Sequence, residues 1–363
     1  MNKSARDALF GMSKLPEKSG VWGRLLKSGK MPPELEPASV KAIQSINDSF
    51  LVFAEGGSAS RRGFAFVFGL VIGCAGVSMI LADIVVGNLL SSPNFWPSAA
   101  AAYGVLLLIA CGFFAWSAVS VFRPMAPPVV LSRRHRHFYS WLGPKAGWVI
   151  TNYDKVQPVS MVSRSYSLAG AATGYVLAIV DCDDSDRRIN VYVPLAQPHR
   201  DVRAPEMIWE FVRIYMDGES GSLPEVDPLP SPGNAAADLA LMDRQLYGDL
   251  VDDHHRVRPS ALAFAYVAIV GAFMYWFERA GLWISRVAPK PEWPEEIRAE
   301  MMSAASKNSY RVRALTEEER LACSGKLRSL NRRWALLGFI STVIVLMMFA
   351  VLGIPPWFSD SKF

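Results

Sequence analysis

One run, Arg133-Arg134-His135-Arg136-His137, packs five cationic or titratable side chains close after an apolar stretch that ends at Phe122. Two readings fit it. Cations beside an acidic leaflet are worth about 1 kcal/mol each, so the run could hold anionic headgroups. It could equally fix which side of a membrane the chain stays on and then merge into a hairpin strand. Side chains alternate along a strand, so five consecutive cations cannot share one face, whereas Arg134 and Arg136 would. Three more ionisable groups interrupt apolar runs: Asp83, Glu278 and Arg279. A carboxylate at mid-bilayer marks a proton or ion path, but near the end of a span it reaches the interface. Asp252-Asp253-His254-His255 has metal-ligand types, yet neighbouring histidines point apart, which disfavours a single centre. The acidic turn Asp181-Cys182-Asp183-Asp184-Ser185-Asp186 lacks the order, glycine and final glutamate of a calcium loop. Nucleophile-elbow, phosphate-loop, zinc-helix and paired-carboxylate patterns do not occur. The expectation is a non-enzyme without catalytic residues, metal or cofactor.

The elements that carry these residues are mostly apolar. Four runs stand out: Phe64 to Val86, Ser98 to Phe122, Ala261 to Phe277 (continuing past Glu278-Arg279 to about 284), and Trp334 to Ile354. About twenty residues cross a hydrocarbon core of roughly 30 Å. The expected fold is an α-helical polytopic membrane protein with spans 64–86, 98–122, 261–284 and 334–354. A small α+β cytosolic domain is inserted at 124–219. A three-span form, with the third run re-entrant or interfacial, stays open. Around these lie a segment 1–62, a linker with juxtamembrane helix at 220–260, a basic loop 286–333 and a tail 355–363. The uncharged linker Gly87 to Pro97 and the positive-inside rule place the N-terminal segment and the residues after Arg123 in the cytoplasm. The loop 286–333 conflicts with four spans: it carries eleven Lys/Arg, yet a spanning third run would put it outside. Ala65, Gly69 and Gly73 recur every fourth residue, as small residues do where helices approach closely. They suit either homodimerisation or packing on the second span.

The inserted segment reads as short β-type runs at 128–132, 135–142, 147–153, 160–168, 174–181 and 188–194, broken by turn-rich stretches. A helix follows from Pro205 to Met216, with proline at its first position and Asp217-Gly218 at its end. A mean hydropathy of +0.18 with 20% charged residues fits several spans plus a water-soluble part. The net charge of +5 is uneven: residues 1–62 hold ten Lys/Arg against six Asp/Glu, residues 123–260 fifteen against seventeen, and residues 283–333 eleven against seven. With the folded part net acidic, nucleic acid is not an expected partner. The four cysteines show no pairing or ligand spacing, and the N-terminus has no early apolar stretch of a cleavable signal.

Two spans, a β-rich domain closed by a helix, then further spans: this order resembles bacterial membrane-anchored domains of the pleckstrin-homology-like type. The residues carrying it are "VVLSRRHRHFYSWL", "AGWVITNYDKVQPV" and the closing "PEMIWEFVRIYMDGESGSLP". The last is also similar to the closing segment of an uncharacterised bacterial inner-membrane family encoded beside type VI secretion genes. The resemblance covers about residues 120–225. It implies an inner-membrane adaptor or immunity protein that binds a protein partner, such as a secretion effector. It transfers no catalytic residue. The hairpin loop Leu142-Gly-Pro-Lys-Ala146 departs from a pleckstrin-type lipid site in having only Lys145. The alternatives from other classes are a sensor of anionic lipid through the basic run and a transporter or channel component.

Overall fold

In the computed structural model the described residues are 13–14, 22–26, 36–54, 58–90, 95–167, 170–182, 189–227, 229–230, 234–303 and 308–352. They form two compact units, each assembled from three stretches of chain: Met1–Gly57, Pro124–Leu229 and Lys290–Ala314 in one, Ser58–Arg123, Pro230–Pro289 and Leu315–Phe363 in the other.

The first unit holds two five-stranded antiparallel sheets. One runs β1 (Ser13–Lys14), β2 (Trp22–Leu25), β8 (Gln157–Ser167), β9 (Gly170–Cys182), β10 (Ile189–Pro194). The other runs β3 (Ile43–Ile46), β4 (Phe50–Phe53), β5 (Val130–Ser132), β6 (His137–Trp141), β7 (Trp148–Asn152). Period-2 alternation decides which face each residue takes. Leu51, Leu131 and Phe138 sit opposite one another in register and turn into the main core with Phe53, Leu177 and Ile179. Phe50, Val130 and Tyr139 turn the other way, where Ile297, fully buried on α6 (Glu295–Ser303), covers them. That sheet is therefore apolar on both faces.

The helix α3 (Ala204–Asp217) closes the main core with Ile208, Phe211, Val212 and Tyr215, all without exposed surface. Spacings of three and four put these on one stripe. Pro205 falls in its first turn, and Gly218 N donates back to Ile214 O. The six β-type runs read from the sequence all appear as strands. The exception in detail is the basic run, expected to begin a strand at His135. Arg133 to Arg136 instead form the turn between β5 and β6, and Arg136 has φ of 53°. Four strands, β1 to β4, come from the segment before the first apolar helix.

The second unit is helical: α1 (Ser58–Leu90), α2 (Phe95–Phe122), α4 (Asp238–Tyr247), α5 (Ala261–Val287), α7 (Glu317–Cys323) and α8 (Arg328–Leu352). Four helical stretches are long and apolar enough to cross a membrane: Ala59–Ala82, Ala100–Phe122, Ala261–Val287 and Arg328–Met347. The chain thus combines four such helices with a sheet-containing region. The Glu278-Arg279 pair does not break α5, because both side chains find partners. The tail from Gly353 lies outside the described residues.

Candidate functional site

The cations of the β5–β6 turn are held by the first unit's own residues. The fork of Arg136 donates to Asp154 through Nε (2.9 Å) and Nη2 (2.6 Å), and Nη2 also reaches Asp217 at 2.9 Å. Its guanidinium lies 4.9 Å from the Tyr153 ring centre, and Tyr153 donates to Asp217 at 3.0 Å. The Asp154 hydrogen bond raises the Arg136 pKa further, and Arg136 in turn holds the Asp154 carboxyl below its usual range. Arg133 donates to Tyr310 Oη (2.7 Å) and to Gly218 O (2.9 Å). His135 Nε2 lies 3.3 Å from Glu300, and the His137 ring meets Tyr139 edge-on. Arg134 is the exposed cation of the run. The structure brings the run together with Asp154, Asp217 and Glu300, acids that sequence proximity did not suggest.

The small residues of α1 face α2. A Cβ on Gly69 would come within 2.4 Å of Ser117 Oγ, and one on Gly73 within 2.9 Å of the Phe114 ring. Ala65 is half-buried on the same helix. Two glycines that the sequence reading passed over meet backbone atoms of another helix. Gly281 on α5 has Ala59 O at 2.5 Å from where a Cβ would stand, and Gly63 has Gly281 N at 2.4 Å. Beside this crossing Glu278, 5% exposed, accepts from Ser60 Oγ at 2.7 Å. Asp83 lies on α1, and its side chain is outside the described residues.

Arg279 and Arg286 are seven residues apart on α5, one face of the helix, and both bind the buried Asp238 of α4, at 3.0 and 2.7 Å. Two guanidinia share one carboxylate, leaving one positive charge in excess. Both also line a cavity of about 560 Å³ whose other walls are apolar, including Phe66, Leu70, Trp283 and Leu346. A second buried carboxylate, Asp243, accepts from His255 Nδ1 (2.9 Å), from Trp334 Nε1 (3.2 Å) and from Arg333. Arg333 also donates to His255 O at 3.1 Å. The histidine pair separates, as adjacency requires. His255 is buried on Asp243, while His254 lies 2.8 Å from Glu318. Among the described residues no group of three metal-ligating side chains converges. Of the acidic turn, Asp183 to Asp186 lie outside the described residues. Asp238 and Asp243 were missed because acids on a short helix read as solvated. Their signal was the apolar company they keep in Asp238-Leu-Ala-Leu-Met-Asp243.

One feature of the first unit is built for contact. Among the described residues the strand β7 ends its sheet, pairing with β6 alone. Along this edge Ile150 is 44% exposed and Leu142, just beyond β6, 43%. Trp148 anchors the strand by donating to Glu292 O at 2.7 Å and packing on Trp293, ring centres 4.5 Å apart. An unpaired edge offers backbone donors and acceptors to an extended segment.

Residues 105–305, more than half of the chain, match a family described as a family of unknown function, DUF6708. No curated protein and no solved structure matches the chain.

Proposed function

The chain belongs to the DUF6708 family of unknown function, and from its own residues we propose a protein-binding factor of a bacterial inner membrane, an adaptor or immunity protein tied to type VI secretion. In this reading the sheet unit is a pleckstrin-homology-like domain on the cytoplasmic side. The observation that carries it is the free edge of β7 with Ile150 and Leu142 beside it, a rigid strand ready to pair with an extended segment of a partner. Support for the secretion context comes from the resemblance of "PEMIWEFVRIYMDGESGSLP", which spans α3 and the turn after it. The lipid-sensing alternative draws less support. The donors of Arg133 and Arg136 are engaged by Tyr310, Gly218, Asp154 and Asp217, which leaves Arg134 as the most exposed cation of the run.

The test is capture of the products of neighbouring genes by the detergent-solubilised protein, repeated with Ile150→Lys, which charges the edge without touching the core. The expected result is retention of one such product by the native chain and its loss with the variant. Retention of none, together with unchanged secretion and protection on deletion of the gene, would refute the proposal.

A further inference from the structure

We propose that α5 (Ala261–Val287) does not cross the membrane. It begins and ends on the cytoplasmic side and lays its exposed apolar face against the lipid there. The first argument is parity. A chain that crosses a bilayer once cannot rejoin a domain it has left. The stretch before α5, up to Leu229, and the stretch after it, from Lys290, belong to one compact unit. Their joints are specific. Val226 N donates to Arg311 O and Arg313 N to Val226 O, both at 3.0 Å. Arg313 also pairs with Asp227 at 2.8 Å, and Arg133 binds Tyr310. Between Leu229 and Lys290, among the described residues, α5 is the one helix long enough to span. The ten residues of α4 reach only about 15 Å. One crossing would strand residues 290–314 on the far side of the membrane from the sheets they complete.

A second closure lies within the helical unit and does not depend on the first. Residues before α5 bind residues after it: Arg244 pairs with Glu319 at 2.6 Å, and Arg256 with Glu318 at 2.7 Å. In addition α4 is fastened along α5, with Tyr247 donating to Val267 O at 3.0 Å and Asp238 taking Arg279 and Arg286. A helix bearing Asp238, Asp243 and Arg244 has no place in hydrocarbon. The charge conflict in the sequence then disappears, because the basic loop after α5 stays on the cytoplasmic side, as the positive-inside rule requires.

What remains is an apolar face with little of the described chain on it: Leu262 is 81% exposed, Ile269 70% and Phe273 47%, and on the same side Trp276 and Trp283 stay 41% and 43% exposed beside Thr342 and Phe66. The bilayer interface is the partner it fits. Tryptophan concentrates at that depth, and the excess charge of the Arg279–Arg286 pair suits an anionic leaflet. Continuity supports the same place, since Gly281 packs on the first turn of α1, next to Arg61 and Arg62.

The experiment uses full-length protein with its four cysteines replaced by serine and single cysteines introduced at Asp253 or Lys290, both exposed, or at Ser92 to mark the far side. Membrane-impermeant maleimide on spheroplasts is expected to label Ser92→Cys only. On inside-out vesicles it is expected to label Asp253→Cys and Lys290→Cys. Labelling of those two from opposite faces would overturn the proposal. In inside-out vesicles a cysteine at Ile269 should react more slowly than Asp253→Cys, because lipid covers it. Equal rates would overturn the lipid contact.

Discussion

Replacing Asp243 with alanine removes one carboxylate and strands three donors at once. Asp243 has no exposed surface, and around it stand His255, itself 4% exposed, Trp334 at 1%, and the guanidinium of Arg333. Breaking a buried ion pair from one side costs about 3–5 kcal/mol, because the other charge stays buried without compensation. Arg333 recovers part of this by keeping its bond to His255 O, so the lower half of that range, about 3 kcal/mol, is expected. For a unit of this size each kcal/mol moves a melting midpoint by about 2–4 °C, which gives a fall of roughly 10 °C. Thermal unfolding of the detergent-solubilised protein, followed by loss of the monodisperse elution peak, reads the change. Asp243→Asn separates charge from shape: it keeps an oxygen for His255 and Trp334 but offers Arg333 no charge, so it should fall between the two. Asp253→Ala is a surface control and should shift little. If Asp243→Ala melts with the native protein, the cluster is not holding α4 to α8 and the reasoning fails.

At the crossing of α1 and α5, Gly281→Ala drives a methyl to within 2.5 Å of a backbone oxygen, an overpacking expected to cost about 1–3 kcal/mol. Gly104→Ala, with open space around it, should leave the melting midpoint unchanged or higher, and equal effects of the two would contradict the packing described. Burial pushes up the pKa of the Cys323 thiol, with Glu319 adding to the effect and Arg244 opposing it. Its alkylation at pH 8 should therefore be slower than that of a free thiol and accelerate as pH rises, whereas free-thiol kinetics would refute this. Asp154, whose pKa Arg136 depresses, contributes stability that is complete above the ordinary carboxylate range and lost as pH falls through its folded value. Because the pair is exposed the gain is below about 1 kcal/mol. The difference in denaturation midpoint between native protein and Asp154→Asn should be small at pH 7 and vanish in strong acid, and a difference that grows on acidification would reverse the sign.

The strands from Val130 to Pro194 and the helix α3 were legible because alternation and turn residues specify them locally, and Pro205 and Gly218 mark the helix ends. Other parts depend on partners far away in the chain. The strands β3 and β4 are only four residues each and lie in a mixed segment, so their pairing with Val130–Ser132 has no local signature. The basic run looked like a strand because its neighbours are apolar. The turn is fixed instead by the positive φ of Arg136 and by Asp154 and Asp217, the latter at the end of a helix eighty-one residues on. The segment after α5 looked like a loop, since Ile297 finds its apolar partners only once Phe50, Val130 and Tyr139 are assembled. Charge arithmetic did register the difficulty: eleven cations in that loop disagreed with four crossings before any fold was known.

The interleaving of the chain also sets an order of events during synthesis. Phe53 and Val129 meet in a backbone hydrogen bond of 2.9 Å, and the first helical hairpin, Ser58 to Phe122, lies between them. That hairpin ends where it began, with the Arg62 side chain donating to Arg123 O at 2.5 Å. Once α1 and α2 pair as a hairpin, β4 and β5 start from neighbouring points, and most of the entropy of closing so long a loop has already been lost. The early strands must nonetheless wait for Tyr310 and Arg313 before their unit is complete. Until the ribosome passes those residues the growing chain carries strands without their last partners, an aggregation-prone state. A truncation before Lys290 should thus harm the N-terminal sheet more than its distance along the chain suggests.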